Sequence, residues 1–149
     1  MSSRIEDLEP VTRGMCEAFL EDCAASGEDI GITHTLRTSD EQLHLWAKGR
    51  QQQADGTWVV VDKKAVVTKA PPGSSPHEYG CAFDVKFNGR IPYPPVEDSR
   101  WGKIGRIGEA LGLSWGGPLG VGDRFRWDRP HFERRDWKAV RAAAQRTTT

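Results

Sequence analysis

The sequence contains few cysteines and no long apolar segment. Its three cysteines cannot all pair, and none lies in a CxxC pattern. This argues against a disulfide framework or a zinc finger and favours buried thiols in a reducing compartment. No apolar run approaches the length that spans a bilayer, and the first residues lack the apolar core of a secretory signal peptide. We therefore expect neither membrane insertion nor export through a signal peptide.

An excess of charge of either sign is also missing. Lys and Arg together number 21, as do Asp and Glu, so the formal net charge is zero over 149 residues. No overall field therefore favours nucleic acid or a membrane surface as a partner. The hydrophobic share of 37% and the charged share of 28% are those of an ordinary globular protein. We expect one domain over residues 1–149, with its core at about 11–145.

Hydrophobic periodicity and capping residues predict four helices and several short strands. The predicted helices cover residues 11–26, 38–48, 98–111 and 136–144. The predicted strands cover residues 29–35, 81–87, 113–115 and 124–133, and residues 57–61 are expected to pair with residues 65–69 as a hairpin. Helices and strands alternate without a βαβ rhythm. This favours the α+β class, with a short antiparallel sheet flanked by about four helices.

Residues 81–87 alternate cleanly between apolar and polar side chains. The apolar positions should face the core, which places Asp84 on the polar face with only the methyl group of Ala82 beside it. That face has room for a bound group. His34, in contrast, shares a predicted strand face with Ile30 and Ile32, and we expect it in the core.

Two pairs of a histidine and a carboxylate indicate a metal site: His77 with Asp84, and Asp128 with His131. Catalytic zinc typically takes three protein ligands and keeps its fourth position for water, and His and Asp are suitable donors. His77, Asp84 and His131 are therefore candidate ligands of one zinc ion per chain. Asp128 is a candidate general base that would take a proton from the zinc-activated water. Glu133, on the strand face of His131, would support that ligand or be an ordinary surface carboxylate.

Two motifs, taken in chain order, carry a family resemblance: Ser75-x-His77-x-x-Gly80-x-Ala82-x-Asp84 and Asp128-x-x-His131. The chain resembles the zinc D-Ala-D-Ala carboxypeptidase and L-alanyl-D-glutamate endopeptidase family. Residues 36–50, 111–117 and 128–132 resemble its endopeptidase branch, which is found in phage endolysins. The resemblance extends over residues 30–133, and it implies a small α+β fold, one zinc ion in a cleft on the sheet, and cleavage of a peptide bond in the bacterial peptidoglycan stem.

The resemblance also implies roles for single residues. It implies His77, Asp84 and His131 as the zinc ligands and Asp128 as the general base. Arg37 matches an arginine near the scissile carbonyl, where a guanidinium would stabilise the developing oxyanion. Ser75 matches a motif serine that supports the metal site. Gln42 matches a position to which the resemblance gives no definite role.

Three functions stay open. The first is an L-alanyl-D-glutamate endopeptidase of the endolysin type, acting as a monomer on the stem peptide. It would be made in the host cytoplasm, released with holin-type help, and have no separate cell-wall-binding domain. The second keeps the mechanism but makes the enzyme a D-Ala-D-Ala carboxypeptidase or dipeptidase. The third is a non-catalytic, zinc-stabilised cell-wall-binding module. Residues 51–64 are longer than the family pattern and suggest an added flap over the cleft.

Overall fold

The computed structural model describes residues 1–117 and 128–147. Within them the chain forms four α-helices and six strands, and the predicted α+β class is confirmed. The helices are α1 (Pro10–Ala25), α2 (Ser39–Ala47), α3 (Ser99–Ala110) and α4 (Trp137–Thr147). The strands are β1 (Ile30–His34), β2 (Arg50–Gln52), β3 (Trp58–Val60), β4 (Ala82–Phe87), β5 (Leu113–Trp115) and β6 (His131–Arg134).

Local capping explains where three of the helices begin. The Glu9 carboxylate accepts hydrogen bonds from the first turn of α1. Thr38 and Glu41 form a reciprocal capping box at the start of α2, and Asp98 caps α3. These side chains satisfy N–H groups that the first turn of a helix leaves unpaired. The predicted helices are confirmed, although α4 continues to Thr147 instead of ending at about residue 144.

Strands β1, β4, β6 and β5 form, in that order, an antiparallel sheet. One face of this sheet packs on the hydrophobic core. Phe83 and Phe132 are paired there and are fully buried, and the ring of Phe19 from α1 lies 4.6 Å from that of Phe132, centroid to centroid. The opposite face carries the polar side chains, as the alternation of residues 81–87 predicted. Burial of the aromatic face therefore fixes which side chains the sheet presents on its other side.

Helix α3 approaches the sheet closely at two glycines. A Cβ atom at Gly105 would lie 2.3 Å from ring carbons of Trp115, and one at Gly108 would lie 2.5 Å from the ring of Phe132. Such distances are incompatible with any side chain larger than hydrogen unless the rings move. The two glycines therefore let the helix backbone rest directly on aromatic residues of β5 and β6.

The predicted pairing of residues 57–61 with residues 65–69 is wrong, although residues 58–60 do belong to a hairpin. Residues Trp58–Val60 pair with Arg50–Gln52, and not with residues 65–69. Gly49 explains the difference, because its φ of 78° turns the chain directly from α2 into β2. The Gly49 carbonyl then accepts hydrogen bonds from the N–H groups of Val61 and Asp62. These bonds join the two strands at the end of the hairpin opposite its turn.

The predicted last strand covered residues 124–133. Residues 124–127 lie outside the described residues, and within the described part the strand is β6.

Among the helices of residues 1–117 and 128–147, none combines the length and the apolar character that crossing a membrane requires.

Candidate metal centre

Three polar side chains form one cross-strand row on the polar face of the sheet. Asp84 of β4 pairs with His34 of β1 on one side and with His131 of β6 on the other. Directly opposite residues of antiparallel strands point to the same face. His131 Nδ1 lies 3.1 Å from Asp84 Oδ1, and His34 Nδ1 lies 3.4 Å from Asp84 Oδ2. The sheet thus places an imidazole on each side of one carboxylate.

A third imidazole comes from a 3-10 turn, Pro76–Tyr79, that immediately precedes β4. Ser75 and Glu78 form a reciprocal capping box on this turn, which fixes its start. Gly80 ends the turn with a φ of 67°, and a Cβ atom there would lie 2.7 Å from the backbone nitrogen of Glu9. Only glycine fits this position without strain. Ser75 Oγ accepts a hydrogen bond from the backbone N–H of His77 at 3.3 Å, so it contacts the backbone of the turn that carries this histidine.

Each of the two predicted histidine ligands has one ring nitrogen held by the protein. His77 Nδ1 lies 2.8 Å from the Thr35 carbonyl, to which it can donate, and His77 Nε2 lies 3.4 Å from Asp84 Oδ1. His131 is oriented the other way, with Nε2 3.0 Å from Glu133 Oε1 and Nδ1 facing Asp84. Glu133 is only 4% exposed, so the alternative of an ordinary surface carboxylate is wrong. Partners of this kind fix the tautomer and the ring orientation of metal-binding histidines.

The resulting donor set suits a zinc ion. One ligand atom from each of His77, Asp84 and His131 can be chosen so that all three lie within 4.8 Å of one another. Two imidazole nitrogens and one carboxylate oxygen are a ligand set used by catalytic zinc, with a fourth position left open. The row on the sheet and the turn before β4 therefore converge on a point where a cation could bind.

The electrostatics of the cluster also favour a positive charge. Burial lowers the pKa of His131, but hydrogen bonds to Asp84 and Glu133 outweigh it and raise that pKa to about 10. Burial would raise the pKa of Asp84, yet the charge of His77 and hydrogen bonds from the surrounding histidines hold it well below its ordinary value. In the metal-free protein the two carboxylates therefore retain a proton on His131. A divalent cation would replace that proton with its own charge.

Arg37 lies next to this cluster and is held from two sides. Its backbone N–H donates to the His77 carbonyl at 3.0 Å, and its Nη1 donates to Gln42 Oε1 at 2.8 Å. Gln42 is fully buried and in turn donates to the Ala70 carbonyl at 2.7 Å. Arg37 Nε is buried and has no hydrogen-bond partner among the described residues. The guanidinium is therefore fixed in place and keeps an unused donor.

Asp128 belongs to the turn that leads into β6. Its backbone N–H donates to the Gly116 carbonyl at 2.9 Å, and its own carbonyl accepts from the His131 N–H at 3.0 Å. Burial raises the pKa of Asp128, and the negative charge of Asp84 raises it further, while the neighbouring positive charges oppose this rise. A raised pKa beside a candidate metal site is what a general base requires, so the role predicted for Asp128 stays open.

His34 is the residue of this site that the sequence did not reveal. We expected it in the core, but its side chain is 44% exposed and faces Asp84. The reason is an irregularity in β1: Ile32 pairs with Val85, whereas His34, and not Thr33, pairs with Asp84. The one extra residue reverses the alternation, so His34 points to the polar face. Nothing in the residues of β1 marks the position of this bulge.

Comparison with known proteins identifies the family. A family model for VanY, described as D-alanyl-D-alanine carboxypeptidase, matches residues 6–94. The chain belongs to the VanY family of D-alanyl-D-alanine carboxypeptidases. A second peptidase model with the same description matches residues 68–134. Together the two matches include the positions of the three candidate ligands, of Arg37 and of Asp128.

Individual proteins similar to this VanY-family chain agree with that assignment. The peptidoglycan L-alanyl-D-glutamate endopeptidase CwlK of Bacillus subtilis is 32% identical over 136 residues, which is 85% of this chain and 73% of CwlK. The crystal structure of the Serratia marcescens L-Ala D-Glu endopeptidase ChiX matches with a TM-score of 0.58 and 15% identity, over 91% of this chain and 86% of ChiX. The vancomycin resistance D,D-pentapeptidase VanY, solved in complex with Zn(II), matches with a TM-score of 0.58 and 18% identity, over 93% and 78% of the two chains. At these identities the two structures show the fold alone.

The VanY-family assignment confirms two of the sequence predictions. The chain is a metallopeptidase, which favours the two enzymatic hypotheses over the non-catalytic binding module. Its α+β fold is that of the family. The roles of single residues, the number of zinc ions, the scissile bond and the phage origin stay predictions.

Proposed function

We propose that this VanY-family peptidase is a zinc endopeptidase that cleaves the L-alanyl–D-glutamate bond of the bacterial peptidoglycan stem peptide. The observation that carries the proposal is the convergence of His77, Asp84 and His131, whose ligand atoms lie within 4.8 Å of one another. The choice of bond is supported by CwlK, which bears that activity in its name and is 32% identical over 85% of this chain.

In this proposal His77, Asp84 and His131 hold one zinc ion per chain. When bound, zinc supplies a Lewis acid that polarises a carbonyl group and lowers the pKa of water toward neutrality. Thr35 and Glu133 hold one nitrogen of each imidazole, His77 Nδ1 and His131 Nε2, so that the other nitrogen of each ring would serve as the metal ligand. The protein therefore orients both rings before the ion arrives, and binding of the ion would displace the proton that His131 carries in the metal-free protein.

Asp128 acts as the general base and takes the proton of the water that attacks the scissile carbonyl. Burial and the charge of Asp84 raise its pKa, which makes the carboxylate a better proton acceptor. The same group can then return the proton to the leaving amine. The charges of His131, Asp84 and His77 act on the Asp128 carboxyl group, which supports a place for it near the three candidate ligands.

Arg37 stabilises the negative charge that develops on the carbonyl oxygen. A guanidinium held in advance of the reaction costs no reorganisation when that charge appears. Gln42 supplies this restraint, because it binds Arg37 through Oε1 and is itself fixed to the Ala70 carbonyl. We therefore assign Gln42 the role of holding the arginine.

A D-Ala-D-Ala carboxypeptidase or dipeptidase is the second candidate, favoured by the description of the family model itself. The same donor atoms, base and arginine would serve that reaction. The difference lies in the substrate, because an exopeptidase must also bind a terminal carboxylate, for which a bidentate arginine contact is the usual solution.

Digestion of purified muropeptides distinguishes the two candidates. The chain is incubated with the muropeptides, with and without a chelator, and the fragments are weighed by mass spectrometry. We expect cleavage between L-Ala and D-Glu, its loss with the chelator, and its return with added zinc. Release of D-Ala with the L-Ala–D-Glu bond intact would establish the carboxypeptidase instead, and full activity in the chelator would remove zinc from the proposal.

The wider role we propose is that of a phage endolysin, a monomer that reaches peptidoglycan after holin-type release from the host cytoplasm. It is supported by the resemblance of residues 36–50, 111–117 and 128–132 to the endolysin branch. Expression in a bacterium with and without a separate membrane pore tests it through the turbidity of the culture. Lysis only in the presence of the pore is the expected result.

A further inference from the structure

His34 contacts the candidate metal centre but is not needed to complete its set of three ligands. Its Nδ1 lies 3.4 Å from Asp84 Oδ2, while Asp84 Oδ1 faces His131 Nδ1 at 3.1 Å and His77 Nε2 at 3.4 Å. The two oxygens of one carboxylate thus have separate surroundings. One faces both predicted ligand histidines, and the other faces His34.

The position of His34 depends on the bulge in β1. In the register of the first three pairs, which ends with Ile32 opposite Val85, Thr33 would lie opposite Asp84 and His34 would point into the core. The extra residue at Thr33 brings His34 opposite Asp84 instead. Bulges beside active sites commonly direct one side chain toward a new target. The bulge in β1 therefore places the imidazole of His34 beside Asp84 Oδ2, the carboxylate oxygen that faces away from the candidate ligands His77 and His131 (the outer oxygen).

The groups around His34 Nδ1 agree with a donor role for this nitrogen. Besides Asp84 Oδ2 at 3.4 Å, the hydroxyl oxygen of Thr33 lies 3.3 Å away. Both oxygens can accept from an Nδ1–H group. Hydrogen bonds in catalytic sites are often long in the free enzyme and tighten when the site is filled.

The denticity of a carboxylate matters for a catalytic zinc ion. If both oxygens bind, the carboxylate occupies two positions, one of which would otherwise be available to water or substrate. A hydrogen bond to the outer oxygen competes with its binding to the metal and orients the carboxylate. In metal sites, loss of such an outer partner typically costs about 10- to 100-fold in metal affinity or activity.

We propose that His34 is a positioning residue that holds Asp84 Oδ2 and thereby leaves Oδ1 as the one oxygen offered to a cation between His77 and His131. This inference shares with the proposed function the assumption that these residues bind zinc. It does not depend on which peptide bond is cleaved. Its readout is therefore metal binding, and not peptidase activity.

Three substitutions separate the hydrogen bond from the volume of the ring. His34→Ala removes both, His34→Phe keeps a ring but no donor, and His34→Asn keeps a donor near the position of Nδ1. The zinc dissociation constant is measured by competition with a coloured chelator, and the visible absorption of the Co(II)-substituted protein reports the coordination number. His44→Ala is the matched control, because His44 is an exposed histidine on α2. Thermal unfolding of each metal-free protein shows whether the fold is retained.

We expect His34→Ala and His34→Phe to weaken zinc binding about 10- to 100-fold. Their Co(II) spectra should lose intensity as Asp84 adds its second oxygen to the metal. His34→Asn should recover most of the affinity together with the original spectrum, and His44→Ala should match the unmodified protein. Metal-free unfolding should be nearly the same for all of them, since His34 is half exposed.

Unchanged zinc affinity and spectra in His34→Ala and His34→Phe would overturn the inference. So would a His34→Asn protein that behaves like His34→Ala, because the hydrogen bond would then not be the cause. Absence of zinc binding by the unmodified chain would overturn this inference and the zinc chemistry of the proposed function together. Zinc binding without cleavage of muropeptides would overturn the proposed function alone, and the zinc affinities of the variants would still decide the role of His34.

Discussion

The four-stranded sheet and the β2–β3 hairpin are both antiparallel, but the protein supports them very differently. Phe83, Val85 and Phe132 of the sheet are fully buried, whereas Val59 and Val60 of the hairpin remain 42% and 49% exposed. A two-stranded hairpin is at best marginally stable by itself, while a sheet packed against helices holds its register. The candidate ligands lie on or directly before the strands of the packed sheet. Packing of one face of the sheet thus determines which polar side chains lie on the opposite face.

The hairpin occupies most of residues 51–64, which the sequence suggested as an added flap. Most of its residues are exposed and none belongs to the hydrophobic core cluster, which is typical of segments that open easily. Whether it closes over the cleft stays a prediction. The contrast with the sheet can be tested by substitutions that should affect one region strongly and the other hardly at all.

The largest effect should follow Asp128→Ala. If Asp128 is the general base beside the sheet, the variant should lose about 10²- to 10⁴-fold in kcat and still bind zinc. Muropeptide turnover and zinc content are the two measurements. An active variant would remove Asp128 from the mechanism, and loss of zinc would instead assign Asp128 to metal binding.

Arg37→Ala should have the next largest effect. Removing one donor to a developing oxyanion costs about 10²- to 10³-fold in kcat, and the fold should persist because Arg37 as a whole is only partly buried. Steady-state kinetics on muropeptides measures the loss. Gln42→Ala serves as a comparison, since it leaves the charge but frees the guanidinium, and it should cost less. An unchanged rate in Arg37→Ala would make this residue structural.

Gly105→Ala should weaken the support of the sheet. The new methyl group would lie 2.3 Å from the ring of Trp115, and overpacking of this kind costs about 1–3 kcal/mol of unfolding free energy. Turnover should fall as well, because Trp115 Nε1 donates to the Arg129 carbonyl in the turn that holds Asp128. Urea unfolding and turnover measure the two effects.

Gly14→Ala is the matched control for that substitution. Gly14 lies on the exposed side of α1 with no atom within 4 Å of an added Cβ. Here the same change should stabilise the protein by about 0.5–1 kcal/mol through helix propensity. Equal effects of the two substitutions would contradict the close packing of α3 on β5.

Glu9→Gln, at the start of α1, should produce a smaller loss of unfolding free energy, and this loss should depend on pH. Burial raises the pKa of Glu9, but hydrogen bonds from Thr12, Arg134 and Val11 outweigh it and lower that pKa below its ordinary value of 4.5. A group with a lowered folded-state pKa stabilises the protein above its unfolded pKa and loses that contribution as the pH falls through the folded value.

Unfolding free energies at several pH values check this prediction. The variant should be about 1 kcal/mol less stable at pH 7, and the difference from the unmodified protein should shrink as the pH falls below about 4.5. Glu17→Gln is the control, since Glu17 is 55% exposed in its pair with Arg13 and should change stability by less than about 0.5 kcal/mol. A difference that grows toward acid pH would show that the pKa of Glu9 is raised.

The smallest effect should come from the hairpin. Val60→Thr places a hydroxyl group where solvent can reach it, and surface changes of this kind stay within about 0.5 kcal/mol. Val85→Thr in β4 buries the same hydroxyl and should cost about 1–3 kcal/mol if the group finds no partner. Thermal unfolding of both variants gives the comparison directly. Similar losses would show that the hairpin is packed as firmly as the sheet.

Much of the candidate site could be predicted from the sequence, because its signals are local. The alternation of residues 81–87 placed Asp84 on the polar face, and the spacing of His77 and His131 from carboxylates indicated their chemistry. Contacts between distant segments gave no such signal. The pairing of β3 with β2 in place of residues 65–69 depends on how Gly49 turns the chain. The support of Arg37 by Gln42 likewise depends on the burial of a polar side chain against the Ala70 carbonyl.

The sequence by itself determined which groups are available, namely two imidazoles, two carboxylates and an arginine, and which strand carries the central carboxylate. Side-chain chemistry and the two-residue period of a strand are sufficient for that. Only the tertiary structure decided that His34 joins them. One extra residue in β1 moves that side chain from the core face to the polar face, and the register of two paired strands is set by packing across the whole sheet and not by the residues of either strand alone.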